Sequence, residues 1–544
     1  MWLRSISLEN FRCFKSIELT FSKSLNLLVG ENNIGKSTLF TSIEKLIRVI
    51  WGNEALASVF DEEDFRYNET KNRILIDCTF SLELDEIVSL IRVLEPKLND
   101  HNSWVIFRKR VGDRLNYLRV IIEVLGNKTG QSSINLGPLL IYDNLIRWEK
   151  DVGGQTGELK ELLNNLASDE YEGDFEKAVK KYPVWHADNI KSTILSFTKP
   201  HLSHFAEFRA RPCKSSRSSE INSLEGSKTA NVLLNLKNHT ERKFRDRYVA
   251  IRYAFSSFFP GMRVEAVETS PGSGEADIQF MESGGKHSVP ISNVGAGVAE
   301  LLTLMTNLVA MRRQIFVIEE PETHLHPHSK RSLEQMIAHS SKRNQVFSIT
   351  HDPIFVNPDH ISNLNRIYFK RKKLGNIVGH LPKELSERDR GKITTAMKDI
   401  IKREMLFARA ILLVEDESQQ RFIVECANKL KYNINNAGLS VVEVGGENGY
   451  DPYILLAEQL AIPFLCLRDK PWEDEKPEKV YLSLGCELEE YLEKEGLGHL
   501  LKDGKKKVGT SKQRVAKYCG ENVEVEKIPE FFVSLIDKAI KLCR

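Results

Sequence analysis

Nine residues near the start of the chain, Gly30-Glu31-Asn32-Asn33-Ile34-Gly35-Lys36-Ser37-Thr38, limit its possible folds more than any other feature. They fit G-x-x-x-x-G-K-[ST]. They follow the apolar run Leu25–Val29 and open Ser37–Ile50, where Leu39, Phe40, Ile43, Leu46 and Ile47 recur at helical spacing. Strand, glycine loop and helix in that order make a phosphate-binding turn, because loop N–H groups wrap the oxyanion and the helix N-terminus adds a favourable dipole. Lys36 is expected to reach the β- and γ-phosphates, and the Ser37 hydroxyl to sit on a magnesium ion. The order also implies an α/β core.

A second motif completes such a site. Ile315-Phe316-Val317-Ile318-Glu319-Glu320-Pro321-Glu322 is a buried-strand pattern ending in acids, placing carboxylates at the strand mouth. There Glu319 is expected to serve Mg²⁺ and Glu320 to polarise an attacking water. Thr323-His324-Leu325-His326-Pro327 follows, and then a strand Val346–Thr350 that ends at His351.

Composition excludes several classes. The 544 residues are 41% apolar and 28% charged, ordinary for a globular chain of two to four domains. A net charge of +2 leaves nucleic-acid affinity to local patches. The eight cysteines are scattered with no C-x-x-C pair, which argues against a zinc ribbon and for a reducing compartment. No leader segment and no apolar run of about 18 residues is evident, so a cytoplasmic location without membrane contact is expected.

Residues 1–30 alternate as antiparallel strands, and β-rich stretches return at Ile74–Leu84, Trp104–Val111 and Asn116–Leu125. Residues 144–200 read as helical, Cys213–Lys228 as a loop, Leu301–Met311 as an apolar helix, and Lys383–Arg409 as a charged helical connector. From Ala410 onward strands and helices alternate, which predicts a small domain with a parallel sheet. Two of its strands end in acids, at Glu415 and Asp469, and such acids converge at the carboxyl edge of the sheet. Converging carboxylates repel unless a divalent cation lies between them. Glu487 and Glu489 are candidates for a third arm. Lys502–Lys517 carries seven basic residues, Lys512 among them, against Asp503 alone, the charge a phosphodiester strand needs.

The first set of motifs resembles an ATP-binding-cassette (ABC) ATPase of the RecF/SMC type. Asn10-Phe11-Arg12-Cys13-Phe14 is similar to that family's N-F-R-x-F, Gly30–Thr38 to its Walker A, Ile315–Glu320 to its Walker B with catalytic Glu320, and His351 to its switch histidine. Ser292-Asn293-Val294-Gly295-Ala296-Gly297 stands where the family keeps its signature loop, which implies ATP sandwiched between two chains. The resemblance thus implies nucleotide contacts from Arg12, Gly30, Asn32, Asn33, Gly35, Lys36, Ser37, Thr38, Ser292, Gly295 and Gly297, with Ser37 and Glu319 on Mg²⁺.

The C-terminal part resembles a Toprim domain. An ATPase of this type followed by Toprim is the layout of the OLD (overcoming lysogenisation defect) nucleases, a family that includes the A subunit of the Gabija defence system. The resemblance implies catalytic roles for Glu415, Asp469 and Lys512, with Glu415, Asp469, Glu487 and Glu489 holding Mg²⁺ or Mn²⁺. Gln419 and Pro471 stand where that family carries further acids, and Glu473 or Asp474 are possible substitutes. The expected organisation is an ABC-type ATPase in two parts, 1–143 and 201–382, interrupted by a helical, dimerising insertion at 144–200. A connector at 383–409 leads to a Toprim-like domain at 410–544. Two functions stay open: an ATP-gated DNA endonuclease acting against foreign DNA as a homodimer or larger assembly, or an ATPase scaffold whose Toprim binds nucleic acid or a partner effector without cutting.

Overall fold

The computed structural model describes residues 1–30, 34–83, 85–86, 117–126, 129–136, 139–142, 145–148, 194–198, 215–216, 228–270, 275–282, 288–323, 325–370, 375–380, 385–472 and 480–543. The chain forms two compact units. One comprises Met1–Leu28, Asn32–Thr350 and Phe369–Ile377; the other comprises Val29–Glu31, His351–Tyr368 and Val378–Arg544.

In the first unit a seven-stranded antiparallel sheet runs in the spatial order Phe14–Thr20, Trp2–Phe11, Ile74–Ser81, Tyr117–Val124, Gly130–Leu136, Leu139–Tyr142 and Leu145–Trp148. Ile74–Ser81 and Tyr117–Val124 alternate buried and half-buried residues, because an antiparallel sheet needs only one covered face. The last strand corrects the sequence reading of 144–200 as helical. Leu145-Ile146-Arg147-Trp148 pairs with Leu139–Tyr142, since a branched and aromatic tetrapeptide favours a pleated edge. Ile194–Thr198 is helical. Trp104–Val111, the remainder of 144–200 and most of 213–228 lie outside the described residues, apart from Ser215–Ser216, which pairs with Glu275–Ala276.

Beside this sheet stand the parallel strands Leu25–Val29, Gln345–Ile349 and Ile315–Glu319, the middle one pairing with both others. Their runs are apolar throughout rather than alternating, as strands covered on both faces require. Every residue of the first two is buried, and only Glu319 of the third is exposed. The helices Lys36–Ile50, Ala296–Ala310 and Pro327–Ser340 belong to the same unit. Phe347 packs edge-on against Phe21 and Phe40, with ring centroids 4.8 and 5.3 Å apart.

The second unit is built on a four-stranded, all-parallel sheet in the order Leu439–Glu443, Ala410–Val414, Phe464–Arg468 and Tyr481–Ser483. Ala410–Val414 is wholly buried, and helices Glu417–Lys429, Lys512–Asn522 and Glu530–Leu542 cover the sheet, with Phe422 meeting Phe532 at 4.9 Å. Lys383–Arg409 contains an α-helix, Glu387–Ala396, begun by Ser386 accepting from the Asp389 N–H, and a 3₁₀ helix, Lys402–Phe407. Residues 351–368 pack within this unit. Arg366, nearly fully buried, donates to the carbonyls of Ala408 (2.8 Å) and Leu460 (3.3 Å). Among the described residues no helix is long and apolar enough to cross a membrane.

Candidate functional site

The first unit builds a phosphate loop from its own steric demands. Gly35 takes φ +102° at the entrance to helix Lys36–Ile50, and a Cβ there would lie 2.4 Å from Cys13 Sγ and 2.6 Å from Phe14 Cζ. The Asn10–Phe14 segment is thus the wall against which the loop closes, and only glycine fits. Lys36 is buried, Thr38 half-buried and Ser37 exposed. Ser37 Oγ donates to Glu319 Oε2 at 2.9 Å, which joins the two motifs across 282 residues. Gly30 has φ 151°, and Asn32 and Asn33 lie outside the described residues.

Glu320 follows the strand in the left-handed region (φ +44°), its N–H donating to Ile349 O at 2.7 Å. That conformation is costly for a residue with a Cβ, and such strain clusters at functional positions. Thr323 Oγ1 donates to Glu320 Oε2 at 3.4 Å, and Thr350 Oγ1 to Glu322 Oε2 at 3.0 Å. Glu319 and Glu320 line a cleft with Gly297, Glu300, Pro321 and Thr323. Gly295, the residue before helix Ala296–Ala310, is exposed with open space around it, and Ser292 lies in the 3₁₀ turn Ile291–Asn293. His351, the first residue after Thr350, is exposed.

Arg12 (φ +48°), half-exposed, is anchored by Asp64, a fully buried carboxylate that accepts from Arg12 Nε at 3.0 Å and from Lys45 Nζ at 2.7 Å. No motif marks Asp64. Its role shows only once the chain is folded, because in sequence it is merely the last of the four acids Asp61-Glu62-Glu63-Asp64.

In the second unit the strand ends bring Glu415 and Asp469 together. The Asp469 N–H donates to Glu415 Oε2 at 2.9 Å. Gln419, fully buried, links the pair: its Oε1 accepts from the Glu415 N–H (3.0 Å) and its Nε2 donates to Asp469 Oδ1 (2.6 Å). Asp416 fixes Gln419 in turn by capping helix Glu417–Lys429, accepting from the Gln419 N–H at 2.9 Å. Burial lifts the Asp469 carboxyl to about 6; the Gln419 amide pulls it down, while Glu415, Asp416 and Glu487 push it up.

The other predicted members are placed differently. Lys512, at the start of helix Lys512–Asn522, pairs with Glu487 at 2.8 Å. That bond lowers the Glu487 carboxyl and raises the Lys512 ammonium. Glu489, on helix Leu488–Lys494, has a buried Oε1 without a hydrogen-bond partner. Among the described residues no three His, Cys, Asp or Glu side chains gather as a metal cluster. Glu415 and Asp469 are thus the two carboxylates brought together here, the pair that could share a divalent cation, and the neutral Gln419 amide stands where the resemblance implies a further acid. Glu473 and Asp474 lie outside the described residues. Lys505, Lys506 and Lys507 are exposed on helix Gly498–Val508.

A P-loop joined to a Walker B strand, and a four-stranded parallel sheet with paired acids at its carboxyl edge, define an ATPase-type domain followed by a Toprim-type domain. The family model AAA ATPase domain (AAA_15) matches residues 1–356, more than half of the chain, which belongs to that family. The model for the TOPRIM domain of overcoming lysogenization defect-like proteins matches residues 406–470. The chain is similar to an uncharacterised protein of Methanocaldococcus jannaschii (22% identity, 83% of this chain, 54% of that protein). It is similar to the OLD nuclease of Thermus scotoductus (25%, 36% of this chain, 38% of the relative) and to endonuclease GajA of Bacillus cereus (21%, 89% and 78%). It thus spans about half the length of the first of these relatives and less of the second.

Proposed function

We propose that this chain is an ATP-hydrolysing nuclease of the OLD type, which cuts DNA phosphodiesters at the carboxyl edge of its C-terminal sheet and acts in defence against foreign DNA. The observation that carries the reading is the meeting of Glu415 and Asp469 on adjacent strand ends, 2.9 Å from backbone N–H to carboxylate. An Mg²⁺ or Mn²⁺ ion shared by those carboxylates would supply a water of lowered pKa and a counter-charge for the phosphate. Gln419 orients both acids. Lys512, aimed by Glu487, and the exposed lysines at 505–507 would hold the strand.

In the ATPase unit Lys36 neutralises the β- and γ-phosphates and Ser37 with Glu319 positions Mg²⁺. Glu320 orients the attacking water. His351 and the Ser292–Gly297 loop act toward the γ-phosphate in a homodimer, and the reducing cytoplasm is the expected setting. Gating of the cut by ATP belongs to the same proposal, as does recruitment of an effector or helicase partner.

One observation favours a second reading. The neutral Gln419 amide satisfies Asp469 without a cation, as in a Toprim domain kept as a non-cutting scaffold. Purified chain with supercoiled plasmid and Mg²⁺ or Mn²⁺, run beside Glu415→Ala, separates the two. Nicking that Glu415→Ala loses supports the nuclease; an intact plasmid with either metal supports the scaffold.

A further inference from the structure

Three arginines converge at the end of the parallel strands opposite Glu319. Arg312 lies between helix Ala296–Ala310 and strand Ile315–Glu319, Arg343 lies two residues before strand Gln345–Ile349, and the first residues of these strands, Ile315 and Gln345, are ladder partners. Arg247 reaches them from helix Arg242–Phe258. All three turn to the last carbonyls of helix Ala296–Ala310. Arg247 Nη1 donates to Ala310 O (2.8 Å), Arg312 Nη1 to Val309 O (2.8 Å) and Met311 O (2.7 Å), and Arg343 Nη2 to Leu308 O (3.5 Å).

A helix C-terminus welcomes one cation. Three exceed that need. Each guanidinium has about five N–H donors, and the carbonyls engage a minority of them. The charges that act most on Arg312 and Arg343 are other arginines, and the nearby carboxylates Asp85 and Asp246 pair instead with Arg313 and Arg242. Burial, then Arg343 and Arg247, lower Arg312 to about 10, and burial and Arg247 lower Arg343. Arg343 Nε is buried with no hydrogen-bond partner. Clustered like charge of this kind is relieved by an anion with several acceptor oxygens, which guanidinium forks match in pairs.

We propose that Arg247, Arg312 and Arg343 form an oxyanion site for a phosphate group, distinct from the nucleotide loop. The strand that separates it from Glu319 rises about 3.3 Å per residue over its five residues, too far for one phosphate to touch both ends. The surface beside the site is mixed in charge. Lys243 and Arg247 flank the Phe244 ring at 5.0 and 4.9 Å, while exposed Arg242 and Lys243 pair with Asp246 (3.7 Å) and Glu241 (2.6 Å), leaving Arg247 as the base that joins this surface to the site. The phosphate is therefore either one of a nucleic-acid backbone or free inorganic phosphate.

The full chain carrying Lys36→Ala, which removes the nucleotide loop's own claim on phosphate, is titrated with inorganic phosphate by calorimetry. It is also titrated with a labelled DNA duplex by anisotropy at several salt concentrations. Arg312→Gln with Arg343→Gln is compared in that background, beside Arg247→Gln, which gives up a single carbonyl bond and keeps the helix end. If backbone phosphate is the ligand, duplex affinity falls and its salt slope shrinks by about 0.9 log units per lost contact. If free phosphate is the ligand, phosphate affinity falls by roughly tenfold or more while duplex binding is unchanged. Equal affinities for both ligands in parent and variants, or no binding of either by the parent, overturns the site.

Discussion

Gln419 Nε2 lies 2.6 Å from Asp469 Oδ1, while the same side chain accepts from the Glu415 N–H. One neutral amide thereby holds both strand-end acids, a positioning that a carboxylate could share only with a cation between them. An acid at 419 would face Asp469 with like charge, whereas the amide donates to it.

Gln419→Glu tests that relationship. In chelator at pH 7 the variant should lose about 2 kcal/mol of unfolding free energy, since a buried carboxylate then faces Asp469 unpaired. Mn²⁺ should restore most of the loss, because a cation relieves the repulsion among the three acids and binds only the folded state. Unfolding curves with and without Mn²⁺ read this directly; equal stability of parent and variant in chelator would contradict it.

Asp469 titrates near about 6, above its ordinary 3.8. Between those values the folded state holds the proton and the unfolded state releases it, so stability falls as pH rises through that window. Asp469→Asn removes the slope. In chelator its gain should be absent near pH 4 and reach about 1–2 kcal/mol above pH 7, a figure reduced from the full linkage for partial exposure. Thermal unfolding across pH checks it, and a gain independent of pH would point to packing instead.

Gly35→Ala should cost about 3 kcal/mol or more. The added Cβ meets Cys13 Sγ at 2.4 Å and Phe14 Cζ at 2.6 Å, at a φ that alanine rarely adopts. ATP binding should fail with it. The double variant with Cys13→Ala should recover only part of the loss, because Phe14 and the backbone strain remain.

Glu320 carries strain at φ +44°. Glu320→Gly should raise stability by about 0.5–1 kcal/mol while ATP turnover collapses. Glu320→Gln should bind ATP and turn it over slowly. Parent-rate turnover by Glu320→Gln would remove Glu320 from the hydrolytic role.

Both motif sites were readable in the sequence because each lies at the end of an apolar run. Leu25–Val29 leads into Gly35–Ser37, Ile315–Ile318 into Glu319, and Ala410–Val414 into Glu415, and burial of those runs sets where their ends emerge. The strand Leu145–Trp148 was not readable. Four residues show no period, and its pairing with Leu139–Tyr142 decides its state. Nor were the links made by buried polar side chains far apart in sequence: Asp64 with Arg12 and Lys45, Arg366 with Ala408, and the arginine group at Leu308–Met311. Such links depend on three-dimensional neighbours, which spacing along the chain does not encode.

Phosphodiester cutting at Glu415 and Asp469, as proposed, is chemically separate from ATP hydrolysis. Plasmid nicking and ATP turnover measured in the same tubes, with Mn²⁺, for parent and Asp469→Ala test it most directly. The expected result is nicking by the parent, none by Asp469→Ala, and equal ATP turnover in both. Persistent nicking by Asp469→Ala, or no cutting by a parent that hydrolyses ATP, would contradict it.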